Sequence, residues 1–334
     1  MVKALFFVSA LFAATLPLYP QVLINGAGAT FPYPIYAKWF DEYHKLNPKA
    51  QINYQSIGSG GGIRQLQAGT VDFGASDSPM TDEQLAATPF KVLHFPTVLG
   101  AVVPAYNVAG VKRELNFTPE ALAGIFLGTI TRWNDPEIAR VNPDAMLPSA
   151  GIVVVHRSDG SGTTFVWTDY LSKVSSAWRQ KVGKGTAVRW PVGLGAKGNE
   201  GVAGLVRQTP NSIGYLELVY ALQNKILYGR VRNSSGVFVK ADLASVTAAA
   251  AEATVPDDFR VSITNPPGKS AYPIASFTWL LVPARIENQQ KRAILTAFLR
   301  WMLTDGQKFA EVLGYSPLPK ILVERELKAI SMIK

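Results

Sequence analysis

The sequence contains no cysteine and only three histidines among its 334 residues. The lack of cysteine excludes disulfide bonds and thiol catalysis, and we expect no lipid anchor attached through an N-terminal cysteine. The histidines are His44, His94 and His156, and their spacing fits neither a metal site nor a Ser-His-Asp triad. The chain also lacks the G-x-x-x-x-G-K-[ST] loop of ATP hydrolysis and the G-x-S-x-G turn of serine hydrolases. We therefore expect no metal, no cofactor and no enzymatic activity.

Long apolar runs are scarce, and the one that stands out lies at the N-terminus. Lys3 precedes an apolar stretch at residues 4–16, and Pro17 and Pro20 end it. A basic start, a short apolar core and a break are typical of a secretory signal peptide, and the run is too short to span a bilayer comfortably. A buried N-terminal helix is the alternative. We expect residues 1–20 to be a signal peptide and the mature protein to be exported to the periplasm.

The chain has a formal net charge of +9, which favours anionic partners in general. Its lysines and arginines are scattered, however, and no basic run alternates with aromatic side chains. This pattern argues against nucleic-acid binding and indicates a solvated basic surface that attracts small anions.

Three glycine-rich segments are the most informative features that are present. They are GAGATF at 26–31, GSGGG at 58–62 and RSDGSGTTF at 157–165. Each is predicted to open a helix, where unpaired backbone N–H groups and the helix dipole favour a bound anion. A turn or a helix N-cap is the alternative interpretation of any one segment. Their joint occurrence, with hydroxyl side chains and an arginine, predicts a cage for a small tetrahedral oxyanion.

Strand-like and helix-like stretches alternate along the chain and predict an α/β fold. The βαβαβ order of the first part predicts a parallel sheet that binds ligands at the carboxyl ends of its strands. Strands are predicted at residues 22–24, 50–55, 71–75, 98–105, 152–156, 187–192 and 277–282. Helices are predicted at 34–46, 63–68, 241–253 and 289–303, and one begins after Thr118 as N-cap and stops at Gly128.

A buried phosphate needs a hydrogen bond to every oxygen, because desolvation otherwise outweighs the attraction. Backbone N–H groups, hydroxyls and an arginine fork suit this task. The candidate donors are Thr30 and Phe31 at the first helix start, Ser59 at the second, and Arg157, Ser161, Gly162 and Thr163 at the third.

Asp77, in GASDSPM, is an unusual residue for an anion site. A carboxylate repels a bound anion unless the ligand has a proton to donate. Phosphate near neutral pH always has one and sulfate does not, so Asp77 would exclude sulfate. The alternative, equally open from the sequence, is that Asp77 caps a turn before Pro79.

Seven longer blocks occur in order along the chain. They are GAGATFPYPIYAKW, YQSIGSGGGIRQL, VDFGASDSPM, FPTVLGAVVPAYN, RSDGSGTTFVWTDYL, WPVGLGAKGNEGV and IGYLEL. Together they resemble the periplasmic phosphate-binding proteins, which are the substrate-binding components of high-affinity phosphate ABC transporters. The resemblance runs from about residue 25 to the end and is densest up to residue 220.

The resemblance implies a two-lobed periplasmic-binding-protein fold of the type II-like class. Each lobe is expected to be a mainly parallel sheet flanked by helices, with the ligand in the cleft between the lobes. No single linker divides the chain, and candidate crossings lie near 100–106 and 273–280. We expect lobe I at residues 21–106 plus 274–334 and lobe II at 107–273.

The resemblance also implies a phosphate-binding set at positions that match the family. The set is Thr30, Phe31, Ser59, Asp77, Arg157, Ser161, Gly162 and Thr163, and a family aspartate that orients the arginine corresponds to Asp159. The implied partners are inorganic phosphate and a membrane permease with its ATPase subunits, and the implied state is a monomer. Three alternatives stay open: a secreted phosphatase, a binding protein for another oxyanion such as sulfate or molybdate, and a phosphate-responsive signalling protein of the same fold.

A weak dinucleotide fingerprint is also present. GLGAKG at 193–198 fits G-x-G-x-x-G, and Glu217 follows about twenty residues later. The resemblance instead assigns this block to a structural loop of the second lobe.

Overall fold

The computed structural model describes residues 21–334. The predicted signal peptide at residues 1–20 lies outside the described residues. Within residues 21–334, every helix is too short or too polar to cross a membrane.

The described chain alternates strands and helices as expected of an α/β protein. The strands are β1 (Val22–Gly28), β2 (Ala50–Ser56), β3 (Phe73–Ser76), β4 (Val92–Asn107), β5 (Asn116–Phe117), β6 (Val153–Arg157), β7 (Leu194–Ala196), β8 (Ser212–Glu217), β9 (Leu227–Tyr228), β10 (Arg230–Arg232), β11 (Phe238–Val239) and β12 (Ala275–Pro283).

The helices are α1 (Tyr33–Leu46), α2 (Ser59–Gln67), α3 (Asp82–Ala86), α4 (Pro119–Leu127), α5 (Pro136–Ala139), α6 (Gly162–Val174), α7 (Ser176–Lys181), α8 (Gly198–Gln208), α9 (Leu218–Gln223), α10 (Leu243–Ala251), α11 (Gln289–Leu303), α12 (Lys308–Val312) and α13 (Lys320–Ala329). Short 3₁₀ turns lie at Asp305–Gln307 and Ile330–Met332.

One curled sheet runs through the molecule in the order β2-β1-β3-β12-β4-β8-β6-β7, and β9 pairs with β4 on the edge opposite β8. A second, small sheet has the order β11-β10-β5. The α/β class and the two-lobed fold are confirmed. The parallel pairs lie in the outer parts of the main sheet, where β1 pairs with β2 and β3 and β6 pairs with β7 and β8. The central strands β12 and β4 run antiparallel to each other and to their outer neighbours, β3 and β8.

The 16-residue strand β4 connects the two halves of the sheet. Residues 92–101 of β4 pair with β12, and residues 102–107 pair with β8. The strand begins well before the predicted residue 98, because Pro96 is accommodated beside a register shift between Thr278 and Trp279 on β12. A proline lacks a backbone donor, so an irregularity in the pairing is where a strand tolerates one.

The three glycine-rich segments open α1, α2 and α6, as predicted. Gly58 precedes α2 with a φ of +89°, a conformation that side chains other than glycine seldom adopt. Ser161 caps α6 by accepting a hydrogen bond from the backbone N–H of Thr164 at 3.0 Å. Strand ends and helix starts therefore meet at one edge of the sheet.

Both halves of the sheet are covered by buried aromatic side chains. On α1, Trp39 is fully buried and its ring stacks against Tyr36. On α6, Trp167 is fully buried and stacks on Tyr215 of β8. Burial of each such side chain contributes about 2–3 kcal/mol, so these clusters hold the helices whose N-termini face the site.

The predicted strand at residues 187–192 is wrong. This segment has no regular structure, and the strand β7 lies just after it, at Leu194–Ala196. Leu194, Gly195 and Ala196 pair with β6, whereas residues 187–192 belong to no strand. The side-chain pattern favoured the earlier residues, but pairing with a neighbouring strand decides where the strand forms.

Candidate functional site

The predicted site residues meet where strands end and helices begin. Thr30 and Phe31 follow β1, Ser59 opens α2 and Asp77 follows β3, and we call these four residues the first side of the site. Arg157 ends β6, and Ser161, Gly162 and Thr163 open α6; these four are the second side. All eight residues are buried, and no side chain among them is more than 3% exposed.

Ser59 joins the two sides directly. Its Oγ accepts hydrogen bonds from the backbone N–H of Gly162 at 3.0 Å and from that of Asp77 at 3.2 Å. Next to it, the Gly60 N–H donates to the Gly160 carbonyl oxygen at 2.9 Å. The helix starts of α2 and α6 thus face each other at contact distance.

Gly162 has no room for a side chain. A Cβ there would lie 2.4 Å from Ser59 Oγ and 2.6 Å from Asp77 Oδ2. Real Cβ atoms do not approach other atoms so closely, so only glycine allows the N-terminus of α6 to reach the first side.

Arg157 is held by Asp159 in a two-point ion pair. Its Nε donates to Oδ1 at 2.8 Å and its Nη2 to Oδ2 at 2.6 Å, while Nη1 donates to Thr163 Oγ1 at 3.3 Å. Oδ1 also accepts from the Gly198 backbone N–H at 3.1 Å. Within residues 21–334 these contacts use three of the five guanidinium N–H groups. Two N–H groups therefore remain for a ligand.

Several backbone N–H groups of the site make no hydrogen bond within residues 21–334. They belong to Thr30, Phe31, Ser59 and Thr163. Tyr220 and Tyr315 fix the peptides of the first pair, since their hydroxyls donate to the carbonyl oxygens of Thr30 (2.5 Å) and Phe31 (2.7 Å). Buried N–H groups without acceptors are costly, so this cluster fits a ligand with several acceptor oxygens.

Asp77 is not the cap of the turn before Pro79. Ser76 fills that role, because its Oγ accepts from the Ser78 N–H at 3.1 Å. The Asp77 carboxylate instead accepts a hydrogen bond on Oδ1 from Thr278 Oγ1 at 2.8 Å. Its other oxygen, Oδ2, lies beside Gly162 at the start of α6.

The two aspartates of the site have opposite pKa shifts. Burial raises the pKa of Asp77 to about 7, although the Thr278 hydroxyl and the charge of Arg157 partly oppose this. Burial also raises the pKa of Asp159, but the hydrogen bonds and charge of Arg157 outweigh it and hold the pKa below its usual value. Near neutral pH Asp159 is therefore ionised, whereas Asp77 is close to its midpoint.

Sequence reasoning missed residues that support the site. Asn199 of α8 contacts Thr30 and Thr163, and Thr278 of β12 contacts Asp77. Thr278 lies 201 residues from Asp77, so no local pattern could reveal the pairing. Asn199 stands in the block WPVGLGAKGNEGV, which the resemblance assigned to a structural loop. In the structure it is the second residue of α8, and a polar side chain at a helix start after a glycine-rich segment was the signal that could have marked it as a site residue.

The decoy sites of the sequence have structural roles. Glu217 is fully buried, and its Oε2 caps α9 by accepting from the Val219 N–H at 2.7 Å. His156 stacks on Trp190, and His94 Nε2 accepts from the Met80 N–H at 3.1 Å.

Within residues 21–334, no cluster of three His, Cys, Asp or Glu side chains could hold a metal ion. An apolar cavity of about 480 Å³ bordered by Phe90, Phe95 and Phe259 includes none of the eight site residues.

The arrangement combines many donors with one acceptor. Amides, hydroxyls and the guanidinium can surround a small oxyanion, and Asp77 can accept a hydrogen bond from a protonated oxygen of that anion. The charge of Arg157 is already balanced by Asp159, so neutral dipoles supply much of the attraction.

Comparison with known proteins identifies relatives over most of the chain. Residues 17–306 match the PBP superfamily domain. The phosphate-binding protein PstS of Xylella fastidiosa (strain Temecula1) is 47% identical over 308 residues, which cover 91% of this chain and 84% of that protein. PstS of Haemophilus influenzae is 45% identical and the alignment covers 92% of each chain.

Solved structures with the same fold include phosphate-binding proteins of lower identity. A high-affinity periplasmic phosphate-binding protein bound with phosphate has a TM-score of 0.77 at 22% identity, covering 92% of this chain and 93% of that one. The phosphate-binding protein of Stenotrophomonas maltophilia has a TM-score of 0.71 at 19% identity, covering 92% and 94%. At these identities the likeness establishes the fold.

Proposed function

Because the chain belongs to the PstS family within the PBP superfamily, we propose that it binds inorganic phosphate and delivers it to the permease of an ABC transporter. The observation that carries the proposal is the buried cluster of unpaired backbone donors at Thr30, Phe31, Ser59 and Thr163, with Arg157 beside it. A tetrahedral anion with four acceptor oxygens satisfies such a cluster.

The proposed phosphate ligands are the eight residues of the two sides, with Asp159 orienting the arginine. The first side supplies amides, the Thr30 and Ser59 hydroxyls and the Asp77 carboxylate. The second side supplies the guanidinium of Arg157, the Ser161 and Thr163 hydroxyls and the amides at the start of α6. Both sides are needed to surround the ligand, so phosphate favours the closed arrangement of the lobes.

Asp77 is proposed to exclude sulfate. Thr278 donates to Oδ1, and Oδ2, which lies beside the Ser59 hydroxyl and the start of α6, is the oxygen proposed to accept a hydrogen bond from a protonated phosphate oxygen. Sulfate has no proton to give, so above about pH 7, where Asp77 is mostly ionised, it would face the carboxylate without a hydrogen bond. Burial raises the pKa of Asp77 to about 7, so the exclusion should be strongest above this pH and weaken below it, where the protonated carboxyl group can donate to sulfate.

The lobes are proposed to be residues 21–106 plus 274–334 and residues 107–273. The change of partner along β4, from β12 to β8, supports a crossing at this strand. The protein is proposed to act in the periplasm as a monomer, after removal of residues 1–20, and to dock in its closed form on a permease that works with ATPase subunits.

No catalytic activity is proposed. Neither Ser59 nor Ser161 is hydrogen-bonded to a histidine, and each Oγ accepts backbone N–H groups instead. A hydroxyl without a base is a weak nucleophile, so the site suits binding and not phosphoryl transfer. Incubation with a chromogenic phosphate ester, with and without divalent metals, should give no turnover.

Equilibrium dialysis of the purified mature protein with labelled phosphate at pH 8 tests the proposal. Saturable binding of one phosphate per chain is expected. Ser59→Ala should weaken it by about tenfold or more, because the hydroxyl that joins the two sides is lost. Ser331→Ala, at an exposed serine near the C-terminus, is the matched control and should bind as the unaltered protein does. Absence of saturable binding by the folded protein would overturn the proposal.

A further inference from the structure

Asn199 lies between the two sides of the site and is fully buried. Its Nδ2 donates to Thr30 Oγ1 at 2.7 Å and to Thr163 Oγ1 at 3.1 Å. Its backbone N–H donates to Thr30 Oγ1 as well, at 3.2 Å. One side chain therefore connects a residue of the first side with a residue of the second.

These bonds fill the acceptor positions of both threonine hydroxyls. A hydroxyl oxygen has two lone pairs and one hydrogen. Thr30 Oγ1 accepts from the backbone N–H and the Nδ2 of Asn199. Thr163 Oγ1 accepts from Asn199 Nδ2 and from Arg157 Nη1 at 3.3 Å. Each hydroxyl can then only donate, so a ligand beside it must present an acceptor.

The orientation of the Asn199 amide is fixed by a third contact. The backbone N–H of Glu217 donates to Asn199 Oδ1 at 2.9 Å. A backbone N–H cannot accept, so the amide oxygen must face Glu217 and the NH₂ group must face the threonines. A flipped amide would lose this bond and offer the threonines an acceptor.

We infer that Asn199 is a positioning residue that commits the hydroxyls of Thr30 and Thr163 to donate to the bound anion. This inference rests on the proposed phosphate binding. Asn199 acts through the two threonines and does not itself touch the ligand. It selects for an oxyanion whose oxygens near these hydroxyls are unprotonated, and it leaves Asp77 as the acceptor for the ligand's proton.

The test compares the effect of Asn199→Ala on phosphate affinity in two backgrounds, measured by calorimetry at pH 8. In the otherwise unaltered protein, the loss of both oriented hydroxyls should weaken binding by about 10- to 100-fold. In the Thr30→Val/Thr163→Val background the hydroxyls are already absent. Asn199→Ala should then cost less than about threefold, because the two changes act through the same groups.

Asn142→Ala is the matched control. Asn142 is also a buried asparagine whose Oδ1 accepts from one backbone N–H, that of Asn116, and whose Nδ2 donates twice, but its contacts lie at Asn116 and Ile138, away from the site. It should lower the melting temperature and leave phosphate affinity unchanged. This control separates a loss of packing from a loss of oriented donors.

Equal losses from Asn199→Ala in both backgrounds would overturn the inference, because a purely structural role is additive. Unchanged affinity of Asn199→Ala in the otherwise unaltered protein would overturn it too. Both outcomes leave the proposed function standing, since the unaltered protein binds phosphate in each. If the folded, unaltered protein binds no phosphate, the proposed function fails and the inference fails with it.

Discussion

One aspartate lies within the first side of the site and another lies beside the second, and the comparison shows what decides the charge of a carboxyl group that is shielded from water. Asp77 on the first side has a hydroxyl partner, Thr278, and its pKa is raised to about 7. Asp159, beside the second side, has the guanidinium of Arg157, and its pKa is held below the usual value. Burial acts in the same direction on both carboxyl groups. Asp77 is 1% exposed and the side chain of Asp159 is 11% exposed, so weaker desolvation and a full positive charge at hydrogen-bond distance together lower the pKa of Asp159, whereas hydroxyl partners do not offset the burial of Asp77.

The difference has a functional consequence under the proposed phosphate binding. The second side contains a positive charge that Asp159 already balances, so it attracts an anion mainly through oriented donors. The first side contains a carboxyl group near its midpoint, which can share a proton with the ligand. Both sides thus supply donors, and only the first side adds an acceptor for the ligand's proton.

Removal of the positive charge is expected to have the largest effect. Arg157→Met leaves the partly buried Asp159 carboxylate without its cation, so the free energy of unfolding should fall by about 1–3 kcal/mol. Phosphate affinity should fall by at least about 1,000-fold, since the charged donor is lost as well. Chemical denaturation and calorimetry measure the two quantities.

The double variant Arg157→Met/Asp159→Asn is the control for this prediction. It should recover most of the stability, because no buried charge is left unpaired, but it should not recover phosphate affinity. If Arg157→Met alone is as stable as the unaltered protein, Asp159 does not depend on its partner and the comparison fails.

Asp77→Asn should stabilise the ligand-free protein at high pH. The folded-state pKa of Asp77, about 7, exceeds the ordinary value of 3.8, so the folded state holds this proton more tightly than the unfolded chain. The contribution of Asp77 to stability is therefore greatest below about pH 4 and declines as the pH rises to about 7. Asparagine lacks this dependence, so the variant should be more stable by about 2–4 kcal/mol at pH 8 and nearly equal at pH 4.

Urea denaturation of both proteins, without phosphate, at several pH values between 4 and 8 measures this difference. The buried carboxyl group of Glu326 does not interact with Asp77 and cancels in it, whereas the pKa of Glu217 is raised by the charge of Asp77, so Glu217 contributes to the same difference. A constant difference across the range would mean that the Asp77 carboxyl does not titrate as described.

Asp159→Asn should have the smallest effect on phosphate binding. Asparagine keeps an oxygen for Arg157 or for the Gly198 N–H, and Thr163 still accepts from the guanidinium. The loss of orientation is offset by the uncovered positive charge, so affinity should change by less than about tenfold. The salt dependence of the affinity should increase, because the site then has a net charge. A loss beyond about 100-fold would show that Asp159 does more than orient Arg157.

The fold could be predicted where local signals decide it. Thr118 and Gly128 bound α4 as expected, because N-caps and left-handed glycines act within one turn. The helix predicted at 289–303 is α11, with the same bounds. The extent of β4 could not be predicted, since its prolines argue against a long central strand and only the pairing with β12 and β8 overrides them.

The residues of the site that stand in sequence motifs could be predicted, but the residues that hold them in place could not. The glycine-rich segments and the family resemblance named eight residues that the fold brings together. Asn199 and Thr278 escaped notice because each meets the site only through tertiary packing, and neither stands in a glycine-rich segment with hydroxyls. The turn role of Ser76, and not Asp77, likewise depends on which side chain the fold buries.

The most direct test of the account is competition by sulfate for labelled phosphate at pH 8, in the unaltered protein and in Asp77→Asn. The account predicts that excess sulfate leaves phosphate bound to the unaltered protein and displaces it from Asp77→Asn, where a neutral amide replaces the carboxylate. Displacement from the unaltered protein, or complete rejection of sulfate by Asp77→Asn, would contradict it.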